Sequence, residues 1–71
     1  MKSVEEIFVA LGGTGAVARL LDVGHSTASE MRRRGSIPVR YWPRLVAVAA
    51  EREVKGITND ALVHMHASAA A

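Results

Sequence analysis

The chain has 71 residues, enough for one domain and a small core. It contains no cysteine, which removes disulfides, thiolate nucleophiles and cysteine-ligated zinc. No stretch approaches the roughly 18 apolar residues of a membrane span, and the acidic start carries no signal-type apolar run, so a cytoplasmic protein is expected.

The net charge is +2, but its distribution is uneven. Arg32, Arg33, Arg34, Arg40 and Arg44 fall between Met31 and Ala50 with no acid among them. Acids lie in the first helix, at Glu5 and Glu6, and after Ala50, at Glu51, Glu53 and Asp60. A local positive field of this kind suits a polyanion. Much of the 49% hydrophobic content is alanine, and there is one Trp, one Tyr and one Phe. Small side chains favour closely packed helices but stabilise weakly, so dimerisation is a natural supplement.

In chain order, Ser3-Val4-Glu5-Glu6 has capping-box spacing and predicts a helix running through Leu11. Val4, Ile7, Phe8 and Leu11 form its buried face, and Gly12-Gly13 ends it. Gly12-Gly13-Thr14-Gly15 is not a nucleotide loop, because no Lys-Ser/Thr follows and no strand precedes it. Thr14 is expected to cap the second helix, whose free N–H groups then suit a phosphate.

The second helix runs from about Gly15 to Leu21, with Asp22-Val23-Gly24 as the turn. The third runs from about His25 to Arg34 and stops at Gly35. Ala18 and Ala28 allow the two helices to cross closely, and Val17, Leu21, Val23 and Met31 anchor them from within. At about 100° per residue, Ser26, Ser29, Glu30 and Arg33 share an outward stripe roughly 100° wide. A polar stripe on a helix held from behind predicts a helix-turn-helix that reads DNA.

Ser36-Ile37-Pro38-Val39 predicts an extended connection, with Ile37 as an apolar plug. A fourth helix begins near Val39 or Arg40, with Pro43 in its first turn, and ends at Lys55-Gly56. Its inner face is Trp42, Leu45, Val48, Ala49 and the stem of Arg52. Thr58 or Asn59 caps a last helix ending near His66, which presents Leu62, Val63 and Met65; dimer contacts are expected from this helix or from the first. The domain is expected over residues 1–66, followed by a frayed Ala-rich tail over 67–71. His64 and His66, two apart, point to different sides of a helix and complete no metal site. Asp22, His25 and Ser26 are neighbours in sequence without the geometry of a triad, so no enzyme, cofactor, metal or small-molecule ligand is expected.

Val17-Ala18-Arg19-Leu20-Leu21-Asp22-Val23-Gly24-His25-Ser26-Thr27-Ala28-Ser29-Glu30-Met31 resembles the helix-turn-helix of the phage lambda Cro and repressor class. Arg34-Gly35-Ser36-Ile37-Pro38-Val39-Arg40-Tyr41-Trp42-Pro43-Arg44-Leu45 is similar to the segment that follows it in small Cro-like and YdaS-like regulators. The likeness covers roughly Thr14 to Ala49, and departs from the family where Asp22 replaces the usual turn Gly and Gly24 a capping Ser. It implies an all-α, four- to five-helix bundle of the lambda-repressor-like type with a central helix-turn-helix. It further implies a transcriptional repressor, of phage or mobile-element type, that binds a palindromic double-stranded operator as a homodimer. Carried over by position, His25, Ser26, Thr27, Ser29, Glu30 and Arg33 would meet bases. Thr14, Arg32, Arg34, Arg40 and Tyr41 would meet phosphates. The rival readings are a protein-interaction module of antitoxin or anti-activator type, and an architectural or recombination-directing DNA binder.

Overall fold

Ser3 opens the first helix as its spacing predicts: its hydroxyl accepts the Glu6 amide at 3.3 Å, and α1 runs Val4–Ala10. In the computed structural model, which describes residues 3–70, four further α-helices follow. They are α2 (Thr14–Leu21), α3 (His25–Arg34), α4 (Trp42–Glu51) and α5 (Asn59–Ala70), with a single 3-10 turn at Val39–Tyr41 leading into α4. The described residues form no strand. Met1, Lys2 and Ala71, at the ends of the expected domain and tail, lie outside the described residues, as do the side chains of residues 68–70.

The first four helices close in the same way. Each reverses through a residue of positive φ, and the next amide reaches back to a carbonyl five residues earlier. Gly13 N–H donates to Phe8 O at 2.7 Å, Val23 to Ala18 at 3.0 Å, Ser36 to Met31 at 3.1 Å and Val54 to Ala49 at 2.8 Å. The reversing residues are Gly12 at φ 104°, Asp22 at 57°, Gly35 at 66° and Glu53 at 56°. Glycine takes this conformation freely, whereas Asp22 and Glu53 hold it against a Cβ penalty.

These closures shift several predicted boundaries. α1 ends at Ala10, with Leu11 already in its cap. Thr14 does not cap α2: Gly13 is the N-cap, and Thr14 is the first helical residue. Gly24 is extended at φ −67°, ψ 154°, a conformation open to any residue, so Asp22 alone makes the left-handed turn between α2 and α3. α4 stops at Glu51, short of the predicted Lys55-Gly56, because Glu53 reverses the chain and sends Val54 back against the core. Arg52 is therefore exposed beyond the helix and not on its inner face. Thr58 does cap α5, accepting the Ala61 amide at 3.1 Å, and the helix continues past His66 to Ala70. Leu62 and Met65 turn into the core, so of the three residues expected to be presented by this helix Val63 alone is exposed.

One core joins all five helices. Its largest fully buried side chains are Phe8 and Ile7 from α1, Val17 from α2, Leu45 from α4, Leu62 from α5, and Ile37 from the connection. Burying side chains of this size is worth about 1.5–3 kcal/mol each, which makes the plug at Ile37 as costly to lose as a helical position. Ala28 is completely buried and Ala18 nearly so, the small pair expected where α2 meets α3. Val17, Leu21 and Met31 are buried behind them, and Val23 is half-buried. The radius of gyration is 10.9 Å, close to the ~11 Å expected for a compact chain of this length.

Candidate nucleic-acid interface

With Ala28 and Met31 turned into the core, the opposite side of α3 must face outward. His25, Ser26, Thr27 and Arg33 are exposed there, and Ser29 and Glu30 are half-buried. The stripe predicted from spacing is therefore displayed on a helix fixed from behind. Beside it lies an open groove of about 440 Å³, lined by Ser26, Thr27, Glu30, Met31, Arg34, Ser36 and Pro38.

The five arginines between Met31 and Ala50 divide into two groups. Arg32 turns toward α1. Its Nε and Nη2 donate to Glu5 at 2.8 and 2.5 Å, and its Nη1 donates to the Thr14 hydroxyl at 3.0 Å. Its guanidinium also lies 5.7 Å from the Phe8 ring centroid. Two of the predicted phosphate contacts, Arg32 and Thr14, thus meet each other, and with Glu5 they staple α1, α2 and α3. The hydrogen bond to Arg32 holds the Glu5 carboxyl below its ordinary range. Arg44 is likewise committed, its Nε donating to the Leu20 carbonyl at the end of α2 at 3.1 Å. A cation at that helix end is matched to the helix dipole.

Arg33, Arg34 and Arg40 are exposed and form the second group; Arg44 is exposed too, but its Nε is tied to α2. Arg40 lies over the Tyr41 ring at 5.0 Å and donates to its hydroxyl at 3.2 Å, so these two predicted contacts act as one unit at the start of α4. Arg33 and Arg34 both close on Glu30. Arg33 donates through Nε at 3.2 Å and also through Nη2, while Arg34 donates through Nε at 2.9 Å. The Arg33 bonds, then those from Arg34, keep the Glu30 carboxyl below its ordinary range.

Sequence spacing missed the device that sets the groove's far wall. Ile37 N–H donates to His66 Nε2 at 2.9 Å, and Trp42 Nε1 donates to the Ile37 carbonyl at 2.8 Å. Since the amide must donate, Nε2 accepts, and Nδ1 carries the hydrogen that meets Leu62 O at 2.7 Å. The Trp42 and His66 rings touch at 4.9 Å between centroids, tilted by 46°. Residue 37 is thus held on both sides of its peptide, which fixes Ser36 and Pro38 beside α3. No sequence signal links a histidine to a backbone amide 29 residues away.

Among the described residues no helix is long and apolar enough to cross a membrane, and no group of three or more His, Cys, Asp or Glu residues could hold a metal ion. Comparison of the chain with protein-family models, with curated proteins and with solved structures gave no match in any of the three.

Proposed function

We propose that this protein is a sequence-specific double-stranded DNA-binding regulator of the lambda-repressor-like kind, acting as a repressor. α3 enters the major groove, and a homodimer reads a palindromic operator. The observation that carries the reading is the display of Ser26, Ser29, Glu30 and Arg33 on one outward face of α3, directly before Arg34, Arg40 and Tyr41. Ser and Arg side chains there offer hydroxyls and a guanidinium to base edges, and the exposed Arg33, Arg34 and Arg40 supply phosphate attraction. Arg32 and Thr14 enter as the brace that holds α3 at its angle. Their contribution to affinity runs through the position of the helix.

Two subunits on one face of a duplex place their reading helices about 34 Å apart, one turn of DNA. Selection of bound sequences from a random duplex pool tests this. A two-fold symmetric consensus with half-sites one turn apart is the expected result, and failure to enrich any sequence overturns it. Exposed Val39 and Val63 favour a second reading, a protein-interaction module. That reading expects saturable binding to a partner protein and no DNA shift at low salt.

A further inference from the structure

Glu30 is the one acid on the outward stripe of α3, and its carboxylate holds two of the three exposed interface arginines at once. We propose that Glu30 is a specificity-determining residue that acts by restraining Arg33 and Arg34 until a base amino group takes their place. The inference rests on the DNA-binding reading above and concerns how that surface discriminates between sequences.

Glu30, Arg33 and Arg34 together carry a net charge of +1, so a phosphate approaching this end of α3 meets half the field of two free guanidiniums. To gain either arginine, the phosphate must replace a carboxylate that already makes three hydrogen bonds. The exchange of one anionic acceptor for another gains little. It also leaves Glu30 unpaired against a polyanion, which is unfavourable.

A major-groove amino group changes that balance. Cytosine N4 and adenine N6 both donate, and a carboxylate that accepts from either is no longer stranded. The two guanidiniums are then free for phosphate oxygens or for guanine O6 and N7. The groove bordered by Glu30 and Arg34 gives the pair open space on one side, and the arginine side chains are 71% and 69% exposed, so the exchange needs no unfolding. Base identity and cation release are coupled through one side chain. Sequences without the amino group are bound with the arginines still held.

The test compares wild type with Glu30→Gln, Glu30→Asp and Glu51→Gln. The last removes an exposed carboxylate at the end of α4 and controls for net charge. Binding to a random-sequence duplex and to the pool-selected duplex is followed by fluorescence anisotropy across a salt series, with circular dichroism reporting the fold of each variant. For Glu30→Gln the log–log salt slope on random duplex should steepen by about 0.9, the value for one additional neutralised phosphate. At about 0.1 M salt this corresponds to roughly eight-fold tighter binding relative to the 1 M reference. The selected duplex should gain less, so the ratio of selected to random affinity falls. Glu30→Asp, which keeps the charge, should retain the wild-type slope.

Equal gains from Glu30→Gln and Glu51→Gln overturn the proposal, because net charge then explains them. An unchanged ratio of selected to random affinity in Glu30→Gln also overturns it. Either result leaves DNA binding intact. Absence of binding to any duplex by the folded wild type overturns both readings.

Discussion

Replacing His66 separates its two roles, acceptor for the Ile37 amide and packing partner of Trp42. Phe at this position retains an aromatic ring against Trp42 and removes the acceptor. The Leu62 carbonyl lies inside α5, where the helix ladder also supplies a donor, so the principal loss is at Ile37. An amide left without a partner costs about 1–3 kcal/mol, and the half-buried setting places this one in the lower part of that range, about 1–2 kcal/mol. With about 2.1 cal/mol/K of unfolding entropy per residue, 1 kcal/mol shifts the Tm of a 71-residue chain by about 7 °C. His66→Phe should therefore melt about 7–13 °C below wild type by circular dichroism. His66→Ala loses the ring contact as well and should melt lower still. A Phe variant within about 2 °C of wild type would refute the hydrogen bond's role, and equal melting of the Ala and Phe variants would refute the packing role.

Glu53→Gly should stabilise the protein by about 0.5–1 kcal/mol in a thermal melt, because glycine occupies a φ of 56° without the Cβ penalty. Glu5 is held below its ordinary carboxyl range by Arg32, so its contribution is present above the unfolded-state value of about 4.5 and is lost as pH falls through the lower folded value. Urea midpoints should accordingly drop in acid more for wild type than for Glu5→Gln, and parallel curves would contradict the pairing. On DNA, Arg33→Ala should weaken the selected duplex about ten- to hundred-fold and relax preference at one base pair, as expected for loss of a bidentate base contact. Arg40→Ala should instead weaken selected and random duplexes alike and reduce the salt slope by about 0.9. An unchanged slope would remove Arg40 from the phosphate-contacting set.

The α2–α3 unit was legible in the sequence because its determinants are local. Alanines at 18 and 28, apolar anchors at 17, 21 and 31, and stops at Asp22 and Gly35 all act within a turn or two of their own helix. Ile37 could be assigned to the core for a similar reason: it is an apolar residue in a polar segment, with a proline beside it. The inward turn of Arg32 was not legible. A run of three arginines reads as one solvated cluster, yet Arg32, the first of them, lies 240° around the helix wheel from Ser26 and meets Glu5, 27 residues earlier in sequence. Arg44 and His66 were hidden for the same reason, since each binds a distant backbone group whose position only the tertiary fold defines. The early end of α4 was missed because it depends on a glutamate in a conformation usually taken by glycine.

The most direct test of the outward face of α3 as the DNA-reading surface is a backbone amide NMR titration with the pool-selected duplex. The largest shifts should fall on residues 25–34, with a second group at Arg40 and Tyr41, while the exposed side of α5 changes little. Shifts centred on α5 or α1, with 25–34 unmoved, would contradict the account.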